Sequence, residues 1–359
     1  MLALFGEQLQ KEDFDSKTYL RGLIRQSLDK GVVPTEEELF NFYPTTEAQE
    51  TSEERFWYQD LKEGMFLKDF LFENLQEIFC HGSDYLETQL TSGEKKSHVL
   101  ELSLEDWTLF TEILAMREKQ NWNLSSPFAS FYIKLHQTNF RATLLHKSVS
   151  PEGVSKLFLR RLNSEKRNPT DYGEGGELVL ELFKKQENVL IAGSTGSGKT
   201  SFLTSLLHYQ KENDHLIILE DTFEIMLNHS STTRLLAEEK NPNKTLKAYM
   251  SYAMRMSPQR LIIGELRGAE TVPYMLAMNT GHKGLMSTVH ASSAYDALSR
   301  LAMLFGLYSD GQQINYSQVL QLICRNIGYV VFLEDKKVKE VIKVLGSENG
   351  QAFYETLAI

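Results

Sequence analysis

Residues 193–200 read GSTGSGKT, and this stretch decides the fold. It matches G-x-x-x-x-G-K-[ST] at every fixed position. The residues before it, Asn188 to Ala192 (NVLIA), predict a strand, and Ser201 to Tyr209 predict a helix, which is the setting this motif requires. Each residue type has a physical reason. Gly193, Gly196 and Gly198 let backbone N–H groups converge on phosphate oxygens with no Cβ in the way. Ser194, Thr195, Ser197 and Ser201 add small polar groups around the same cradle. The helix that follows turns its positive end toward the anion. Lys199 is placed to bridge β- and γ-phosphates, and the Thr200 hydroxyl to ligate Mg²⁺. The loop therefore implies a nucleoside triphosphate, with ATP and Mg²⁺ as the expected cofactors.

Working outward, ENVLIAG (187–193), HLIILED (215–221) and RLIIGE (260–265) are short, nearly continuous apolar runs, each ending in polar or glycine residues. Helical stretches separate them. Buried parallel strands alternating with helices read this way. Parallel strands deliver side chains to one sheet edge at their carboxyl ends, and hydrolysis at a phosphate loop needs carboxylates there to orient water and help hold Mg²⁺. The first such end carries Glu220, Asp221 and Glu224, and the second carries Glu265. The second run has Gly264-Glu265 where a metal-side acid usually follows four apolar residues.

The 359 residues suggest two domains, and their composition, 42% hydrophobic and 24% charged, is that of a globular chain. A net charge of -10 gives no general attraction for nucleic acid or anionic lipid. The two cysteines, Cys80 and Cys324, cannot make a CxxC zinc site. No apolar run approaches the ~20 residues of a membrane span, and MLALFGEQLQKEDFD (1–15) does not read as a signal peptide.

Tyr19, Leu20, Leu23, Ile24 and Leu28 recur at helical spacing, and residues 35–55 read as a partly extended linker that begins with a capping box. From Phe56 onward the pattern is mixed: a helix, strands on either side of a turn at HGSD (81–84), a helix with Trp107, Phe110, Ile113 and Leu114 on one face, and a strand at FRATLLH (140–146). The expected division is a helical extension and linker over 1–54, an α+β domain over 55–148, an interdomain linker over 149–176 and a phosphate-loop domain over 177–359.

With these motifs together, the chain resembles the type II/type IV secretion-system ATPases. EDTFE (220–224) resembles that family's acidic box, RMSPQRLIIGELRGAE (255–270) its atypical second box, and TGHKGLMSTVHASSAYDALSRL (280–301) its histidine box. With only two cysteines and a helical extension, the likeness is greatest to the conjugative-transfer and tight-adherence pilus branch. EIFCHGSD (77–84) departs from the family's usual strand-and-turn sequence. The resemblance implies an α/β protein with a recombinase-type P-loop NTPase core in the carboxyl-terminal domain and a smaller α+β amino-terminal domain. It implies an ATP-hydrolysing homo-hexamer that powers pilus assembly or secretion by rocking its domains. Such a motor would be cytoplasmic, held at the inner face of the bacterial inner membrane through a platform protein, with no stable nucleic-acid binding.

The resemblance also assigns roles. Glu220 would position or activate water, with Asp221 and Glu224 as alternatives. Glu265 would serve the Mg²⁺ side together with Thr200. His282 and His290 would sense the nucleotide state or couple it to motion, and Arg267 would help bind the nucleotide. Arg141, Arg160 and Arg161, with Arg234 and Arg255, are the candidates to neutralise phosphoryl charge. Two other functions fit the same core: a non-catalytic nucleotide-binding scaffold, and a DNA-handling recombinase-type ATPase.

Overall fold

The computed structural model describes residues 15–41, 52–162, 167–238, 241–309 and 315–359. The opening apolar patch, the middle of the 35–55 stretch and residues 163–166 of the expected linker lie outside the described residues. The chain forms two compact units, Met1–Leu162 and Asn163–Ile359.

The first unit begins with α1 (Ser16–Asp29), α2 (Glu36–Phe40) and α3 (Ser52–Glu63). Leu20, Ile24 and Leu28 form the buried stripe of α1, whereas Tyr19, expected among them, is on the exposed side. Thr35 and Glu38 form the capping box expected at the start of α2. Helices α2 and α3 replace much of the expected linker. The strands β1 (Leu75–Cys80), β2 (Tyr85–Leu90) and β3 (Lys95–Val99) precede α4 (Leu104–Arg117). After it come β4 (Phe128–Leu135), β5 (Thr138–Leu145) and β6 (Lys156–Arg161). They make one antiparallel sheet in the order β3-β2-β1-β6-β5-β4. Trp107, Phe110, Ile113 and Leu114 of α4 are buried against this sheet's core, and the Trp107 indole donates to Ser155 O at 2.7 Å. Strand β6 pairs with both β1 and β5, so residues expected to be linker are a central strand of the first unit, and the division falls after Leu162.

The second unit contains α5 (Glu174–Lys184), β7 (Val189–Gly193), α6 (Lys199–Leu207), β8 (Leu216–Glu220), β9 (Thr232–Leu236), α7 (Leu246–Ala253), β10 (Arg260–Glu265) and α8 (Thr271–Asn279). It continues with β11 (Met286–His290), α9 (Ala294–Tyr308), α10 (Tyr316–Asn326), β12 (Tyr329–Glu334), β13 (Lys337–Glu348) and β14 (Gln351–Thr356). The sheet order is β14-β13-β12-β7-β11-β10-β8-β9, with β12 through β9 parallel and β13 and β14 antiparallel at one edge. Helices cover both faces. Val189, Ile191, Ile218, Ile262 and Met286 pack with α5 and α6, and Leu190, Ala192, Leu219, Ile263 and Val289 pack with α7 to α10. That two-sided burial is why these strands read as continuous apolar runs.

A buried arginine ties the beginning of this sheet together. Arg260 donates from Nε to Gln210 Oε1 at 2.6 Å, from Nη1 to Gly284 O at 3.0 Å and from Nη2 to Phe183 O at 2.8 Å. Its guanidinium lies 3.8 Å over the Phe183 ring. One side chain thereby joins the ends of α5 and α6 to the entries of β10 and β11, and burial pulls its pKa down to about 10. Arg260→Met leaves these acceptors without a donor in a dry site. It is expected to cost about 3–5 kcal/mol and to lower the melting temperature by roughly 10 °C in a thermal scan followed by circular dichroism. Arg260→Lys, lacking the planar fork, should recover little of the loss.

Candidate active site

The parallel strands β7, β8, β10 and β11 end at Gly193, Glu220, Glu265 and His290, and this common edge gathers the candidate site. The phosphate loop runs from β7 into α6 as expected. Gly193 has φ of +155°, and a Cβ there would lie 2.4 Å from Leu333 O and 2.5 Å from Ser197 Oγ, so no other residue fits. Lys199 is buried, and its ammonium donates to Gly193 O at 2.9 Å and Ser194 O at 2.7 Å. Burial pushes its pKa down, while Glu265 and Glu224 pull it up.

The same ammonium lies 3.3 Å from His290 Nδ1, and His290 Nε2 lies 3.0 Å from Glu265 Oε1. Burial and the Lys199 charge hold the imidazole below its ordinary pKa. The network therefore assigns a neutral ring that accepts from Lys199 at Nδ1 and donates from Nε2–H to Glu265. Thr200 Oγ1 donates to Glu224 Oε2 at 3.2 Å. Thr200, Glu224 and Glu265 supply hard oxygen donors beside the phosphate loop. That suits Mg²⁺, which takes one or two carboxylates and completes its shell with phosphate and water.

Glu220 is buried. Its Oε1 accepts from the N–H groups of Glu224 at 2.9 Å and Ile225 at 2.8 Å, and its Oε2 lies 3.8 Å from Arg234 Nη1. Desolvation outweighs these partners and raises its pKa to about 7. The unusual Gly264 has a packing reason: a Cβ there would come within 3.2 Å of Glu220 Cγ. Asp221 pairs with Arg267. Glu270, which the sequence reading had not singled out, accepts from the N–H groups of Arg267 and Gly268, each at 2.7 Å, and so shapes the turn that carries Arg267. Thr288 Oγ1 donates to Gly264 O at 2.7 Å and ties β11 to the end of β10.

The structure gives the remaining candidates other neighbours. Arg234 turns to the chain rather than to open space: Nη1 donates to Ile225 O at 2.5 Å and Nη2 to Leu227 O at 3.0 Å, which clamps the acidic loop. Arg255 and His282 precede β10 and β11, so they lie at the edge where the strands begin, away from the phosphate loop. His282 contacts Ala277 O at 3.2 Å and Thr280 Oγ1 at 3.3 Å, and it lines a cleft of about 360 Å³ with Arg260 and Lys283. A five-residue strand separates it from His290, so the two histidines of that motif do not meet within this unit. Arg141, Arg160 and Arg161 belong to the first unit. There Arg141 and Arg160 are cross-strand neighbours, Arg160 lies 3.6 Å from Glu77, and Arg161 donates to Phe72 O at 2.9 Å.

The family model described as "Type II/IV secretion system protein" matches residues 140–331, more than half of the chain. The chain belongs to this family. A Mycobacterium tuberculosis relative whose name ties it to conjugal transfer is 33% identical over 134 residues, 36% of this chain and 38% of its own length. The VirB11 type IV secretion protein of Bartonella quintana is 30% identical over 167 residues, 46% of each chain. This chain thus spans less than half the length of these two relatives. The Bartonella henselae VirB11 is 24% identical over 322 residues, 78% of this chain and 88% of that one. The crystal structure of the pilus retraction motor PilT with bound ADP shares the fold, with a TM-score of 0.60 at 20% identity and 81% coverage of each chain. Family membership and fold agree with the recombinase-type P-loop core expected from the sequence.

Glu220 makes the family's acidic box measurable without any substrate. Its folded pKa is raised, so the native state binds this proton more tightly than the unfolded chain does. Stability then falls as pH rises from the ordinary glutamate value of 4.5 to about 7. Glu220→Gln carries no such penalty. Its melting temperature is expected to exceed that of the wild type at pH 8, by the equivalent of about 2–3 kcal/mol, and the difference should shrink on titration to pH 5. An advantage independent of pH would contradict the raised pKa.

Proposed function

We propose that this protein is an ATP-hydrolysing motor that works as a homo-hexamer and drives assembly of a type IV-like pilus or transport through a type II/IV secretion apparatus. The observation that supports it best is the convergence of Lys199, Thr200, Glu220, Glu265 and His290 on one sheet edge around the phosphate loop. A scaffold that only binds the magnesium nucleotide needs the phosphate loop and a carboxylate on the metal side, but not a second, buried acid such as Glu220. On this reading the phosphate loop holds ATP, with Mg²⁺ held by Thr200 and, on the Glu265 side, partly through water. Mg²⁺ supplies neutralisation of phosphate charge. Glu220, with a proton affinity near neutrality, is the group placed to orient water and accept its proton. Asp221 and Glu224 shape the loop around it, the first through Arg267 and the second through Thr200.

Charge developing on the transferred phosphoryl group needs arginine. Arg234 and Arg260 are occupied by backbone carbonyls, and Arg267 is paired with Asp221. We assign the role to Arg141, Arg160 and Arg161 of a neighbouring copy, which makes activity depend on assembly. ATP and ADP would favour different domain angles, and that difference would do the work. The chain would act at the cytoplasmic face of the inner membrane through a platform protein. Among the described residues no helix is long and apolar enough to cross a membrane.

The test is ATP hydrolysis against protein concentration, with mass measured in parallel. Specific activity is expected to rise steeply as a six-subunit species appears. Lys199→Ala and Glu220→Gln should each lower turnover at least about 100-fold, and the second should retain ATP binding. Activity proportional to protein at high dilution would refute the shared site.

A further inference from the structure

Strand β12 runs parallel to β7 with Leu333 opposite Gly193, and the chain then turns back into β13. The turn is made by Asp335 and Lys336, with φ of +50° and +58°. It rests on the phosphate loop at two points. Leu333 O occupies the space a Cβ on Gly193 would need. Lys336 Cγ and Cα lie 3.4 and 3.6 Å from where a Cβ on Gly198 would sit. Gly198 is the cap of α6, whose first N–H groups face a bound phosphate. The turn is also anchored behind. Lys337 Nζ donates to Asp171 O at 2.9 Å in the Pro169–Tyr172 turn, and the Tyr172 ring packs edge-on at 4.8 Å against Phe202 of α6.

Lys336 itself is exposed and makes no hydrogen bond or ion pair among the described residues. Its stem has three further bonds beyond Cγ, a reach of about 4 Å. Lys199 is held by Gly193 O, Ser194 O and His290. Lys199 thus belongs to the phosphate loop itself, and Lys336 to the hairpin that rests on Gly198 of that loop.

We propose that Lys336 is a nucleotide-binding residue whose ammonium pairs with the non-transferred phosphates, α and β, of the nucleotide on the phosphate loop. This rests on the ATP reading given above and adds to it a second cation, contributed by the β12–β13 hairpin. Because the α- and β-phosphates are common to ATP and ADP, the contact is made equally with substrate and product. It sets how tightly the nucleotide is held at every stage of turnover. Glu334 and Asp335 flank the lysine, so its contribution is that of one cation in a mixed turn and is sensitive to salt.

The experiment is calorimetric titration of the full-length chain with MgADP and with a non-hydrolysable MgATP analogue. Lys336→Ala is expected to weaken both about tenfold, the value of one charge-assisted hydrogen bond, with the gap narrowing as salt is raised. Lys336→Arg should restore most of the affinity, which a purely structural role for the turn would not predict. Lys339→Ala, on the adjoining strand, should bind as the wild type does. Lys336→Ala binding MgADP with wild-type affinity would overturn the proposal, as would a loss confined to the ATP analogue. A wild-type chain that binds neither nucleotide would overturn the ATP reading itself and this inference with it.

Discussion

The site depends on the edge shared by four parallel strands. Gly193, Glu220, Glu265 and His290 are far apart in sequence and become neighbours only because β7, β8, β10 and β11 all run the same way and end together. The burial that keeps these strands in register is on both faces, from α5 and α6 on one side and α7 to α10 on the other. Arg260 secures the opposite edge, where the strands begin. Chemistry at one end of the sheet thus rests on packing along its length and on a buried cation that donates to three acceptors at the other end.

Much of this is legible in the sequence because the signals are local. GSTGSGKT sits between a strand and a helix, and the runs at 215–221 and 260–265 carry their acids at the ends where parallel strands expose them. What the sequence conceals is direction and partnership. His282 and His290 belong to one motif, but a strand lies between them and sends them to opposite edges. Arg234 reads as a candidate to neutralise phosphoryl charge, whereas two carbonyls of its own loop claim it. LFLRRL (157–162) reads as a candidate strand, but between turn-rich flanks that read as a linker. Its place in the first sheet comes from pairing with β1 and β5, distant segments that no local pattern reveals. The β12–β13 turn was hidden for another reason. Asp335 and Lys336 adopt left-handed backbone without the glycine or asparagine that normally announces such a hairpin.

The Gly264-Glu265 pair shows how a departure from a common pattern follows from volume. β8 and β10 are adjacent, so the side chain at the end of one strand must share space with the residue beside it on the other. Glu220 is large, buried and tethered to two N–H groups of the loop it begins. A side chain at 264 would press on its stem. Glycine removes the conflict, and the acid of β10 moves one position further along, to Glu265, where it meets His290. The glycine thus leaves room for the buried carboxylate of the neighbouring strand.

The Lys199 ammonium has a related constraint. It holds two carbonyls of its own loop and the imidazole of His290 at once, which uses all three of its protons. A phosphate oxygen can enter this set only by displacing one of them. Gly193 ends β7, opposite His290 of β11, and His290 is the one side chain among the three partners. Its other nitrogen is bonded to Glu265, at the end of β10. A single imidazole thus bridges the cation of the phosphate loop and the carboxylate that ends β10.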